Sequence, residues 1–138
     1  MAEQENRNTK IINEFRANKG VVGGMFAGMP LLLFTHKGAK SGQERVNPVA
    51  YLKDGDRYAI IASKGGAPNN PGWYHNLVAN PQSHVEVGDT EFDATVTEAK
   101  GEERDRLYAA MVAKTPVFGE YQQKTLRKIP VLIFTPKK

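Results

Sequence analysis

The sequence predicts an α+β fold, a barrel of about six short and mainly antiparallel strands with flanking helices. Three observations carry that prediction. The apolar runs are strand-sized, two pairs of them are joined by tight glycine-bearing turns, and helical periodicity is confined to a few separated stretches. A length of 138 residues allows one core and leaves no room for a cofactor domain beside a separate substrate domain.

Glu5 to Asn18 form a helix, with Ile11, Ile12 and Phe15 on one side and Lys10, Asn13, Glu14 and Arg16 around the rest. This helix either lies across the domain or reaches as an arm toward a membrane surface or partner. Residues 1–20 are assigned to it and residues 21–138 to a single domain. Gly20, Gly23, Gly24 and Gly28 then disfavour helix. Leu31 to Thr35 is the first strand, Val46 to Leu52 the second and Arg57 to Ser63 the third, with Asp54-Gly55-Asp56 as a hairpin turn. Pro48 cannot donate to a ladder, so it marks an edge or a bulge. Pro71 begins a short helix that runs to Ala79, capped by Asn70 and ended by Asn80-Pro81. Ser83 to Val87 and Glu91 to Val96 make a second hairpin around Gly88-Asp89, with Phe92, Ala94 and Val96 on one face. Glu102 to Lys114 is a helix with an acidic first turn and an apolar stripe of Leu107, Tyr108, Met111 and Val112. Pro116 to Gln123 reads as a further helical piece and Ile129 to Thr135 as the final strand.

Composition excludes several functions. There is no cysteine, which removes disulfides, thiolate metal sites and cysteine nucleophiles, and suits a reducing cytoplasm. No apolar run approaches the ~18 residues of a membrane-spanning helix, and the start, Met1-Ala2-Glu3-Gln4-Glu5, carries no secretory signal. The expected location is therefore the cytoplasm, with a peripheral contact at the inner membrane face left open for the N-terminal helix. The net charge of +4 suits an anionic ligand, a nucleic acid or an anionic membrane surface, without choosing among them. The histidines, His36, His75 and His84, lack zinc-type spacing, so no metal is expected. No Gly-x-Ser-x-Gly elbow, dinucleotide fingerprint or Walker-type loop is present.

Two segments stand out. His36-Lys37-Gly38-Ala39-Lys40-Ser41-Gly42-Gln43-Glu44-Arg45 gathers Lys37, Lys40 and Arg45 around a Ser-Gly pair. A solvated hairpin loop accounts for the glycines and charges. A phosphate or carboxylate site accounts for the hydroxyl, the exposed backbone N–H groups and the cations together. The second segment runs from Ser63-Lys64-Gly65-Gly66 to Trp73-Tyr74-His75. It is either a plain strand-to-helix connection with Trp73 as a core plug, or a cradle for a planar anionic ligand. The glycines there permit close backbone approach and a helix N-terminus follows.

These residues carry a resemblance. The chain is similar to the deazaflavin-dependent nitroreductase family of actinobacterial F420H2-dependent quinone and nitro reductases. The matching pieces lie between about Pro30 and Thr135: Gly38 to Arg45, Asn47-Pro48, Asp54-Gly55, Ala62 to Ala67, Asn70-Pro71-x-Trp73-Tyr74-x-Asn76-Leu77, Ala79-Asn80-Pro81, Glu102-Glu103-Arg104, Tyr121-Gln122 and Ile129-Pro130. The resemblance implies a split β-barrel of the FMN-binding type and coenzyme F420, an 8-hydroxy-5-deazaflavin, as cofactor. It implies that the cofactor's phosphate and glutamate tail lie against Lys40, Ser41, Gly42 and Arg45, near Pro48. The ring would lie along Ile61, Ala62 and Ser63, with Lys64, Gly65, Gly66 and Trp73 close by. It further implies hydride transfer to a quinone-like acceptor and, in some members, to nitroaromatics. Ser63 and Tyr121 are the candidates to steady or protonate the reduced oxygen, and Thr115, Phe118 and Tyr121 the candidate acceptor wall. Ala39 and Glu44 depart from the pattern, standing where many members carry arginine and proline. Thr115 and Phe118 stand where tyrosines occur, which disfavours nitro reduction. Alternatives are an FMN-binding oxidoreductase on the same barrel, or a non-catalytic nucleic-acid-binding barrel; the basic residues sit beside glycine turns instead of alternating with aromatics, which speaks against nucleic acid.

Overall fold

The computed structural model describes residues 2–18, 31–39, 42–63, 70–88, 90–125 and 128–137, with side chains from Lys10 onward. Its elements are α1 (Ala2–Ala17), β1 (Leu31–Lys37), β2 (Glu44–Asp54), β3 (Arg57–Ile61), α2 (Gly72–Ala79), β4 (Gln82–Val87), β5 (Thr90–Glu98), α3 (Gly101–Lys114), α4 (Val117–Gln123) and β6 (Val131–Pro136). The strands close into a barrel in the order β1-β2-β3-β6-β5-β4, and every pair is antiparallel. The split barrel expected from the sequence is the fold that forms.

Strand alternation sorts the side chains into three apolar clusters. Leu32, Phe34, Ile60, Val85, Leu132 and Phe134 fill the interior. Their neighbours in sequence point outward: Ala59, Ile61, Val131 and Ile133 meet α3 and α4, while Leu31 and Leu33 meet Phe15 of α1. Strands buried on both faces read as continuous apolar runs, which is why Leu31-Leu32-Leu33-Phe34 lacks polar alternation. β5 has one solvated face, and Ala94 and Val96 alternate there with exposed neighbours.

The hairpins form where glycine turns were expected. Asp54 pairs with Arg57 across Gly55-Asp56, and Gly55 has φ +63°, which favours glycine. Val87 pairs with Thr90 across the second turn, with Gly88 at φ +60°. β2 changes partner along its length: Glu44–Ala50 pair with β1, and pairing with β3 begins at Tyr51. Pro48 lies in the part paired with β1 alone, a strand edge that needs no second ladder.

Two local expectations are corrected. α2 begins at Gly72, and Pro71 occupies the N-cap position with no side-chain cap, so Asn70 is not the cap. β3 ends at Ile61; beyond it the Ala62 N–H donates to the Pro130 carbonyl at 3.0 Å, so Ala62 still joins the next strand's approach.

The C-terminal half of α1 packs on the barrel. Phe15 is 1% exposed against Leu31 and Leu33, with Ile11 and Ile12 half-buried beside it. Burying such a ring contributes about 2 to 3 kcal/mol. Arg16 adds a two-pronged bond to Glu86 of β4 at 3.0 and 2.8 Å. No described helix is long and apolar enough to cross a membrane.

Candidate active site

The 38–43 loop is held by α2. Asn76 and Asn80 lie one turn apart on that helix and at its end. The Asn76 carboxamide oxygen accepts the Ala39 N–H at 3.0 Å, and Asn80 Nδ2 donates to the Lys37 carbonyl at 3.4 Å. Asn76 Nδ2 lies 3.0 Å from His36 Nδ1, and His36 Nε2 lies 2.6 Å from Asn47 Oδ1. With Asn76 oriented to accept from Ala39, its amide must donate to His36 Nδ1, which leaves the imidazole proton on Nε2 for Asn47. His36 is buried, and burial pushes its pKa down; the bond to Asn47 opposes this and the Arg45 charge adds to it. The imidazole is thus a neutral spacer between two amides.

Three backbone donors of the loop's described residues are already bonded. Gly38 N–H bonds to the Gln43 carbonyl, Gly42 N–H to the Gly38 carbonyl and Ala39 N–H to Asn76, so the turn closes on itself. Gly42 makes that closure possible at φ +72°. Lys37 and Arg45 are exposed at adjoining ends of the β1–β2 pair, with Glu44 opposite Lys37. An open groove of about 500 Å³ lies beside this end, lined by Lys37, Glu44, Asn80, His84 and Lys137 among others. It takes no residue from β3 or α4.

The other candidate residues lie at the end of β3 and on α4. Ile61, Phe118, Met111, Ile129 and Val131 share one cluster, and half-buried Tyr121 packs against it. Phe118 is 8% exposed and its ring meets Tyr121 edge-on at 5.6 Å. Tyr121 therefore presents the accessible ring and Phe118 backs it. Thr115 is half-buried at the C-cap of α3, its N–H bonded to the Met111 carbonyl. Ser63 is buried two residues beyond Ile61. The structure thus brings Ile61, Phe118 and Tyr121 into one cluster, which does not include Thr115.

Trp73 lies elsewhere. It packs edge-on against Phe34 at 5.2 Å in the interior cluster, where Leu77 joins it, so α2 plugs one end of the barrel. Tyr74 of the same helix bonds to Glu98 at 2.8 Å; burial and that bond push its pKa up to about 12. Lys40, Ser41, Lys64, Gly65 and Gly66 lie outside the described residues. No metal-ligating group of three acidic, histidine or cysteine residues exists among the described residues.

Comparison with known proteins decides the family. The model of the F420H(2)-dependent quinone reductase family matches residues 7–136. The chain belongs to that family. An F420H(2)-dependent quinone reductase of Mycobacterium tuberculosis is 39% identical over 125 residues, covering 88% of this chain and 84% of the relative. The solved structure of an F420-H2 dependent reductase, FDR-A, superposes with a TM-score of 0.71 at 45% identity, covering 76% of this chain and 93% of that one. A solved domain-swapped dimer superposes with a TM-score of 0.73 at 40% identity, covering 96% and 98%. For a member of the F420H(2)-dependent quinone reductases, the exposed cations Lys37 and Arg45 at the β1–β2 end suit an anionic tail, while the Ile61 and Ala62 side chains at the end of β3 are packed in the core, 3% and 0% exposed.

Reasoning from the sequence missed two networks. His36 was weighed only as a metal ligand, and Asn47, Asn76, Arg104 and Gln122 received no role. A signal existed, since all four lie within the matched motifs.

Proposed function

We propose that this enzyme passes a hydride from reduced coenzyme F420 to a quinone at the ledge between the end of β3 and α4. The observation that carries the reading is the shared cluster of Ile61 with Phe118 and Tyr121, in a chain of this family. Lys40, Ser41, Gly42 and Arg45 hold the phosphate and glutamate tail, beside Pro48. Ile61, Ala62 and Ser63 hold the ring, with Lys64, Gly65 and Gly66 beyond and Trp73 fixing the adjacent helix. Residues 21–138 act as one cofactor-binding domain, with the N-terminal helix as its appended arm.

When bound, the coenzyme supplies the hydride. The chain supplies position, since hydride transfer needs the reacting atoms held about 3 to 3.5 Å apart. The Ser63 and Tyr121 hydroxyls donate hydrogen bonds to the acceptor oxygen where negative charge grows, and solvent supplies the proton that completes the reduced product. The wall of Thr115, Phe118 and Tyr121 offers apolar surface with a single phenol, which suits a quinone better than a nitro group. The protein works in the cytoplasm, with any peripheral contact at the inner membrane face made through the N-terminal helix.

The test is titration of the purified protein with F420 and with FMN, followed by turnover of F420H2 with menadione and with a bicyclic nitroimidazole. Selective F420 binding with menadione reduction, and a nitroimidazole rate at least tenfold lower, is the expected result. Tight FMN binding without F420 binding overturns the cofactor assignment. Efficient nitroimidazole reduction overturns the acceptor assignment.

A further inference from the structure

Arg104 is a cation with 9% exposure on the inner face of α3, where the sequence otherwise places apolar side chains. Its guanidinium does not pair with a buried acid. Nε and Nη2 donate to the Ile129 carbonyl at 3.0 and 2.8 Å, Nη2 donates to the Gln122 side-chain oxygen at 2.8 Å, and Nη1 reaches the exposed Asp105 at 3.1 Å. The same Gln122 oxygen accepts the Ile129 N–H at 3.0 Å. The guanidinium lies 4.4 Å from the Tyr108 ring centre, and the Tyr108 hydroxyl donates to the Phe118 carbonyl. A rigid planar fork suits this task because it addresses several acceptors in fixed directions.

The consequence is geometric. α4 is fastened to α3 near both of its ends, by Tyr108 at Phe118 and by Arg104 at Gln122, and Tyr121 lies between the fastenings. Gly119 lets the two helices approach, since a Cβ there would sit 3.3 Å from Val112. The Ile129 peptide, held by Arg104 and Gln122, leads directly into Pro130, whose carbonyl takes the Ala62 N–H. One chain of contacts therefore runs from the end of β3 through 129–130 to Arg104, then to Gln122 and the wall.

We propose that Arg104 is a positioning residue for hydride transfer. It sets the separation between the ring ledge at Ala62 and the acceptor wall on α4, without touching either reactant. This rests on the functional reading above. Arg104, Gln122 and the Ile129-Pro130 peptide, far apart in sequence, meet at one knot.

The experiment compares the full-length wild type with Gln122→Leu, Gln122→Glu and Arg104→Lys, in three measurements. Dissociation constants for oxidised F420 are taken by titration, kcat and KM are taken with F420H2 and menadione, and amide hydrogen exchange is followed without cofactor. Gln122→Leu and Arg104→Lys should lower kcat/KM for menadione at least tenfold while F420 affinity stays within twofold. Gln122→Glu keeps the acceptor for both Arg104 and the Ile129 N–H, and should return kcat/KM to within threefold of wild type. In the wild type, the amides of Ala62, Ile129 and α4 should exchange as one protected unit. Unchanged menadione kinetics in a folded variant overturns the proposal, and so does a loss of F420 affinity equal to the loss of kcat/KM. If the variants do not fold, α4 amides exchanging 100-fold faster than those of Ala62 and Ile129 in the wild type overturn it, and common protection supports it. Absence of menadione turnover in the wild type instead refutes the functional reading, while the exchange result still tests the knot.

Discussion

Two helices fasten the two regions that hold the candidate residues, and they do so with opposite chemistry. α2 holds the 38–43 loop through neutral groups, Asn76, His36, Asn47 and Asn80, over bonds of 2.6 to 3.4 Å. α3 holds α4 and the 129–130 segment through one buried guanidinium. The neutral chain works only while each amide keeps one orientation and the imidazole carries one proton. The guanidinium needs no such choice, because every N–H it has is a donor at all working pH values. The difference shows that the loop side is responsive and the wall side is fixed.

The largest expected effect breaks the fixed side. Arg104→Met removes the cation and takes both guanidinium donors from the Ile129 carbonyl, while the Gln122 oxygen keeps the Ile129 N–H. Orphaning a buried acceptor costs about 1 to 3 kcal/mol and the contact with the Tyr108 ring is lost as well, so a loss of about 3 kcal/mol is expected, read as a lower urea midpoint with unchanged slope. A hydrophobic replacement that cost nothing would show that the charge, and not the acceptors, set the balance.

A smaller effect is expected on the responsive side. Asn76→Ala removes the donor to His36 and the acceptor for the Ala39 N–H together. It should lower stability by about 2 kcal/mol and weaken F420 binding several-fold, because the loop bearing Lys37 and Arg45 loses its anchor. An unchanged F420 dissociation constant would detach the loop from cofactor binding and leave Asn76 a purely structural residue.

The smallest effect sharpens the contrast through pH. His36 is held below the ordinary imidazole value by burial, with a contribution from Arg45. The unfolded chain then binds more protons than the folded one, so its contribution is present above about pH 6.5 and is lost as pH falls through the folded value. His84 is held above it, first by the hydrogen bond to Asp93 at 2.9 Å and also by Glu91. Its contribution is present below about pH 6.5 and is lost as pH rises. The two oppose each other in one window. His84→Gln should therefore make the thermal midpoint climb more steeply between about pH 5 and 7. Because His84 is exposed, 1 M salt should remove most of the difference between variant and wild type. An equal slope at low salt would place the compensating group elsewhere.

Most of the fold was legible because its signals are local. Gly55 and Gly88 announce their turns, Pro48 announces the single-partnered stretch of β2, and Leu107, Tyr108 and Met111 announce the inner face of α3. Arg104 was not legible from periodicity. It falls one turn before Tyr108 on the buried face, where a charge counts against burial until its partners are known, and those partners lie 18 and 25 residues away. His36 failed in the same way. Its meaning depends on Asn47 and Asn76, separated from it by 11 and 40 residues. In the 38–43 loop, the Gly38 and Gly42 N–H groups bond within the turn and the Ala39 N–H bonds to Asn76, which no residue spacing reveals.

The barrel interior offers a last consequence. Leu32, Phe34, Ile60, Leu132 and Phe134 are at most 1% exposed, and α2 stoppers one end. The barrel is a solid post, not a cup. With the interior filled, the surface left for a ligand is the outside of the post, where loops and helices meet the strands. Of the seven residues of α4, Phe118 and Gln122 are bound into that framework, so a lineage built on this scaffold has the remaining positions of the helix to vary while the strands stay as they were.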